Sequence, residues 1–201
     1  MLKQVAFCIA LLVPTALLAQ SPESAIGGDG TIWAGAAASV FSPDFGCSHD
    51  MVFACTHDVI GPTAFFNVNL TSRISSEGEA RWLEWNGLGS ETESNYLIGP
   101  RYRLYRHDRY SLWLKALFGG GWITTSDYPQ QGSLKGSYFA YAPGGTLEYR
   151  LSRHWILRAD YEYQFWPSFA GPTTYKNGVA VVHDHGISPN GFTVGAAWRF
   201  W

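Results

Sequence analysis

The feature that most constrains the fold is a strict alternation of apolar and charged side chains over residues 155–165. Successive side chains of a β-strand point to opposite faces, so a period of two predicts a strand with one apolar and one polar face. The apolar face holds Trp155, Leu157, Ala159, Tyr161, Tyr163 and Phe165, and the polar face holds Arg158, Asp160, Glu162 and Gln164. Either the apolar face fills a core, or it meets lipid while the polar face fills a lumen.

Weaker segments of the same kind recur along the chain. Together they predict strands over residues 31–40, 62–72, 73–86, 92–104, 109–122, 137–150, 155–165 and 191–201. Short links (72–73, 106–108 and 151–153) alternate with longer ones (41–61, 87–91, 123–136 and 167–190). Short turns at one end and long loops at the other are typical of outer-membrane barrels. Pro100 lacks an amide donor, which allows a bulge in the fourth strand.

The N-terminal residues predict export. Lys3 precedes an apolar run over residues 5–12, and Ala19 offers a small residue for cleavage, so residues 1–19 are predicted to be a signal peptide. Residues 20–29 then form a short periplasmic segment, and residues 30–201 form the barrel domain. The chain beyond the signal peptide has no apolar run long enough for a spanning helix. Since only helices and closed barrels satisfy the backbone in lipid, a membrane location favours a barrel.

We therefore predict an all-β fold, an eight-stranded antiparallel up-and-down transmembrane β-barrel with both termini in the periplasm. Its predicted lumen carries charges of both signs: Glu77, Glu79, Arg81, Arg101, Arg103, Lys115, Glu148, Arg158, Asp160 and Glu162. Buried charges are costly unless paired, and eight strands leave little room inside. The prediction is a lumen plugged by paired charges. The alternatives are a narrow channel for ions or small solutes and a soluble, lipocalin-like barrel with an apolar cavity.

The predicted loops hold the remaining reactive residues. Cys47 and Cys55 predict a disulfide, because an exported chain enters an oxidising compartment. His49 and His57 beside them make zinc an alternative, although the spacing matches no familiar zinc framework. Serines and histidines in the loops show no recognisable catalytic spacing, so we predict no enzyme, no cofactor and no metal. A lipid-modifying outer-membrane enzyme is the second functional alternative. The net charge of −2 does not suggest nucleic-acid binding.

Four segments carry a resemblance to a known family: ILRADYEYQFW, NGFTVGAAWRF, GPRYRLYR and YAPGGTLEYRLS. Over residues 30–201 the chain resembles the outer-membrane β-barrel domain family, which includes the transmembrane domain of outer-membrane protein A. The resemblance implies outer-membrane lipid as surroundings and a structural or surface-interaction role, with an unidentified extracellular ligand at the loops. It also implies that the barrel-assembly machinery reads the last strand, through Phe192, Val194, Ala196, Trp198 and Phe200, with Trp201 one aromatic beyond the expected end.

Overall fold

The computed structural model describes residues 30–43, 58–85, 91–125, 134–169, 173–176, 179–182 and 186–200. The strands are β1 (Ile32–Ser42), β2 (Val59–Asn69), β3 (Ile74–Trp85), β4 (Glu91–His107), β5 (Tyr110–Thr125), β6 (Leu134–Arg150), β7 (Trp155–Tyr163), β8 (Thr173–Lys176), β9 (Val179–Val182) and β10 (Asn190–Arg199). In this part of the chain, no helix is long and apolar enough to cross a membrane.

Eight of the strands close into a barrel, in the order β1-β10-β7-β6-β5-β4-β3-β2, with every neighbouring pair antiparallel. The seam pairs β1 with β10, from Trp33 opposite Arg199 to Ser42 opposite Asn190. The predicted eight-stranded antiparallel barrel is confirmed. The sequence did not predict β8 and β9, which form a separate two-stranded sheet inside the link between β7 and β10.

Several strands extend beyond their predicted limits. β4 reaches His107, and β5 and β6 stay paired as far as Thr125 opposite Leu134. Longer hairpins are favoured because each added cross-strand pair provides hydrogen-bond partners for backbone amide and carbonyl groups. The bulge that Pro100 would allow is not formed, because β3 pairs with this residue in register and the pairing of β4 with β5 has the same register on both sides of it. The register instead shifts between Arg103 and Tyr105.

One end of the barrel, here called the turn end, carries the short links 70–73, 108–109 and 151–154, and β1 begins and β10 ends there. Hydroxyl groups shape two of these turns. Thr71 Oγ1 accepts from the amide of Ile74 at 2.9 Å, and Ser152 Oγ accepts from the amide of Trp155 at 3.1 Å. Asp108 adopts a φ of 50° in the two-residue link. The opposite end, the loop end, carries the longer links.

Aromatic side chains form two belts on the outer surface. The loop-end belt contains Trp82, Tyr96 and Trp122, in edge-to-face contacts, and the turn-end belt contains the cross-strand pairs Tyr110–Tyr149 and Trp155–Trp198. On β5, Tyr110 and Trp122 lie twelve positions apart. At about 3.4 Å per residue and a tilt of roughly 40°, this separation is about 30 Å, close to the thickness of a bilayer's hydrocarbon core.

The interior is charged across its middle. Towards its ends it holds apolar clusters together with further charges, the buried Glu91 and Glu93 near the loop end and several arginines at the turn end. The apolar clusters are Leu97, Leu117, Ile123, Ala140, Ala142, Trp166 and Ile187; Phe41, Val59 and Leu83; and Trp33, Phe65, Ile156 and Ala197. The outer face carries most of the exposed large apolar side chains. This arrangement is the reverse of a soluble lipocalin-like barrel, whose interior would be an apolar cavity.

Candidate functional site

Eight charged side chains meet in the middle of the lumen. We call them the central network: Glu77, Glu79, Arg81, Arg101, Lys115, Arg158, Asp160 and Glu162. They project from β3, β4, β5 and β7, and each side chain is at most 2 % exposed. Four carboxylates face four cations, so the charges of these eight side chains cancel; Glu148, which pairs with Arg101, and the buried Glu93, near Arg81, lie beside them. Neutrality matters because an uncompensated charge is costly at such burial.

Lys115 lies at the centre of the network. Its Nζ is 2.9 Å from Glu162 Oε2, 3.1 Å from Glu79 Oε2, 3.5 Å from Glu77 Oε1 and 3.6 Å from Asp160 Oδ1. These carboxylates belong to β3 and β7, whereas the ammonium belongs to β5. One cation therefore ties together three strands across the lumen.

Arginine forks complete the links between β3 and β7. Arg158 Nη1 and Nη2 each donate to an oxygen of Glu77 at 2.7 Å, and Arg158 also pairs with Asp160. Arg81 Nη1 donates to Glu162 Oε1 at 3.0 Å, while Arg81 Nη2 pairs with Glu79. Bidentate guanidinium–carboxylate bonds are strong and directional, so they fix the geometry of the network as well as its charge.

The guanidinium groups also pack on aromatic rings of the lumen. Arg81 lies 4.0 Å above the ring of Phe41, and Arg158 lies 4.3 Å above the ring of Phe65. Such contacts are favourable because the ring face is electronegative, and they fill space that water would otherwise occupy.

The network continues towards the loop end through residues that sequence reasoning did not single out as a site. Gln164 Nε2 donates to Glu162 Oε1 at 2.7 Å, and Trp166 Nε1 donates to Gln164 Oε1 at 2.8 Å. Trp166 is fully buried in the apolar cluster at the loop end. Both residues continue the even-numbered polar face of residues 158–162, and that periodicity is the signal that would have indicated their inward position.

Two of the predicted lumen residues lie apart from the centre. Glu148 accepts from Arg101 Nη2 at 2.6 Å and from Trp113 Nε1 at 2.8 Å, on the turn-end side of the network. Arg103 is predicted to pair within the network, but its guanidinium instead lies 5.1 Å from the ring of Trp113. The acids of the network lie further from the turn end, and the register shift beside Arg103 carries it away from them.

The remaining predicted sites divide between the outer wall and the undescribed segments. The predicted assembly signal occupies alternate positions of the last strand, which point to the outer face. Its members are Phe192, Val194, Ala196, Trp198 and Phe200, and all of them except Ala196 are exposed. Cys47, Cys55, the histidines of the predicted loops, the signal peptide and Trp201 lie outside the described residues.

No family model and no curated protein matches the sequence. Solved structures do match. The attachment invasion locus protein Ail of Yersinia pestis is 18 % identical, covering 86 % of this chain and 99 % of its own, with a TM-score of 0.52. Neisserial surface protein A is 10 % identical, covering 85 % and 96 %, with a TM-score of 0.59. The outer membrane protein OprG of Pseudomonas aeruginosa is 11 % identical, covering 86 % and 97 %, with a TM-score of 0.57.

The chain has the fold of the small outer-membrane β-barrels. The resemblance predicted from the sequence is thereby confirmed at the level of the fold. The central network and the aromatic belts are thus the interior and the outer wall of such a barrel.

Proposed function

We propose that this protein is an integral outer-membrane barrel with a structural or surface-interaction role, whose lumen is closed and whose loops provide the contact surface. In this proposal the turn end faces the periplasm, with both termini, and the loop end faces outward. The two aromatic belts support a transmembrane placement, because amphipathic rings favour the membrane–water interface.

The observation that carries the closed lumen is the central network itself. Its eight side chains cross the lumen from several strands, they are almost completely buried, and their charges cancel. A water-filled passage would expose charged groups instead. The apolar cluster around Trp166 adds a second closure nearer the loop end.

The surface role is supported by analogy with two of the fold neighbours. One bears the name attachment invasion locus protein, and another is a neisserial surface protein. In this chain the longer links gather at the loop end, where they would be exposed to the outside. For an enzyme, a nucleophile and a base would have to meet at that end. We instead propose a non-catalytic barrel, whose expression should leave the mass of lipid A unchanged.

Planar-bilayer recordings test the closed lumen. The purified barrel is first shown to be folded by heat-modifiable gel mobility, so that silence cannot be attributed to failed folding. We expect no steady single-channel openings at neutral pH. Steady openings would overturn the plug and favour the narrow channel.

Epitope insertion tests the orientation. A tag placed after Ser152, in a short turn, should be reached by antibody only in permeabilised cells. A tag between residues 129 and 130, in a longer link, should be reached on intact cells. The opposite pattern would reverse the proposed orientation while leaving the fold unaffected.

A further inference from the structure

The turn end of the lumen opens into a cavity of about 300 Å³. We call it the arginine cavity, because six arginines line it: Arg103, Arg106, Arg109, Arg150, Arg153 and Arg199. They come from β4, β6, β10 and the turns beside these strands. The volume is near the lower end of the range typical of small-ligand pockets, roughly 300–1,000 Å³.

The charge of this cavity is not balanced, in contrast to the central network. Glu148 is its one acidic lining residue among those described, and Glu148 already accepts from Arg101 and Trp113. Within the described part of the chain, five of the arginines (Arg103, Arg106, Arg109, Arg150 and Arg153) make no ion pair.

The arginines are close enough to repel one another. Arg106 repels both Arg103 and Arg150, and Arg199 also repels Arg150, while Glu148 attracts Arg103 and Arg150 and offsets part of this repulsion. Holding several like charges around one cavity is unfavourable unless something of opposite charge enters it. Arg103 and Arg199 are half-buried, while Arg106, Arg109, Arg150 and Arg153 are exposed, so the cavity is open to solvent at the turn end and an anion can reach it.

The chemistry of the lining specifies the kind of anion. Planar guanidinium groups donate in pairs and match phosphate oxygens, and several of them together favour a group with more than one negative charge. The ring of Trp113 lies 4.6 Å from the Arg101 guanidinium and 5.1 Å from that of Arg103. These cation–π contacts orient both guanidinium groups around the ring. Glu148 and Trp113 line the cavity and contact Arg101 of the central network, so the network borders the cavity on its inner side and a ligand enters by the turn end.

We propose that the arginine cavity binds a phosphate group that enters from the turn end. Two sources share this chemistry: the headgroup of an anionic phospholipid in the adjoining leaflet, and a soluble phosphate or phosphoester. This site is separate from the loops and from the closure of the lumen, so its test does not depend on conductance or on surface binding.

The first measurement is calorimetric titration of inorganic phosphate into the barrel folded in an uncharged detergent at low salt. We expect saturable binding that weakens as salt is added. Arg103→Gln and Arg150→Gln should each weaken the affinity by about tenfold, the effect of losing one charge-assisted hydrogen bond. Lys135→Gln removes the same charge from an exposed position at the loop end and should bind like the wild type. Heat-modifiable mobility verifies that each variant is folded.

The second measurement distinguishes the two sources. Phosphatidylglycerol is added to the micelles at a stated mole fraction, with phosphatidylcholine as the reference lipid, and the phosphate titration is repeated. Competition by phosphatidylglycerol, absent in the Arg103→Gln/Arg150→Gln double variant, would assign the site to a lipid headgroup. Phosphate binding without such competition would assign it to a soluble anion. Absence of phosphate binding, or arginine variants that bind as tightly as the wild type, would overturn the proposal.

Discussion

Replacing Lys115 by methionine should destabilise the barrel strongly. The substitution keeps most of the side-chain volume but removes the cation shared by Glu77, Glu79, Asp160 and Glu162, at 2.9 to 3.6 Å. The central network then holds one more carboxylate than cation, in a region where every side chain is at most 2 % exposed. Removing one partner of a buried pair costs about 3–5 kcal/mol, and we expect a loss in that range.

A second substitution tests whether the loss comes from charge imbalance. Glu79→Gln in the Lys115→Met background restores neutrality, and the new amide oxygen can still accept from Arg81. We therefore expect the double variant to be more stable than Lys115→Met alone, with a coupling of roughly 1–3 kcal/mol between the two sites. Lys135→Met, at an exposed position on β6, provides a control with the same change of side chain.

The assay is urea unfolding of the barrel in detergent, followed by tryptophan fluorescence and by the heat-modifiable band. With an unfolding slope of about 2 kcal/mol per molar urea, the expected loss for Lys115→Met lowers the midpoint by roughly 2 M. The midpoint of Lys135→Met should not move.

Two results would refute this reasoning. If Lys115→Met shifts the urea midpoint as little as the control Lys135→Met does, the lumen is hydrated and its ion pairs behave like surface pairs. If the effects of Lys115→Met and Glu79→Gln simply add, the charges act independently and do not form one neutral cluster.

Three further substitutions test the apolar plug, the packing of the wall and its contact with lipid. Trp166→Ala should cost about 3–5 kcal/mol, because it empties a fully buried site, and should lower the temperature at which the folded band is lost on gels. Gly99→Ala should lower the free energy of unfolding in urea by about 1–3 kcal/mol, because the added Cβ would clash with the backbone oxygen of Ala116. Gly145→Ala is the matched control and should be neutral, because its Cβ would have no neighbour nearer than 3.7 Å. Ala116→Arg, midway between the belts, should lower the free energy of unfolding in lipid vesicles by about 2–4 kcal/mol. Thr124→Arg, beyond the loop-end belt, should lower it by about 1 kcal/mol at most. Equal losses for the two variants would contradict the lipid-facing assignment.

Much of the fold was predictable because alternation is a local property. The parity of residues 158, 160 and 162 predicts that three charges share a face, whatever the rest of the chain does. The alternation of short and long links predicts the up-and-down order, since a two-residue link leaves little choice except a hairpin. Closure of eight strands follows from these two observations together with the need to leave no edge in lipid.

The partners across the lumen were not predictable in the same way. Arg158 meets Glu77, and Arg81 meets Glu162, across sequence separations of 81 residues. Such pairing depends on the stagger of all the intervening strands. Arg103 shows the consequence, since the register shift beside it places it at the arginine cavity instead of in the central network. Trp166 likewise gains its role only because the chain after β7 stays in contact with β6 and turns back over the lumen.

The sequence was therefore sufficient to predict the eight barrel strands, although not their limits or the small β8–β9 sheet, together with the order in which they connect and the side chains that face inward. These properties follow from the two-residue period of the backbone and from link length. The tertiary structure was needed to show which charges neutralise one another and which arginines gather at the turn-end cavity. Neutralisation depends on distances of a few ångströms between strands far apart in the chain, and those distances are set by the stagger of the closed barrel.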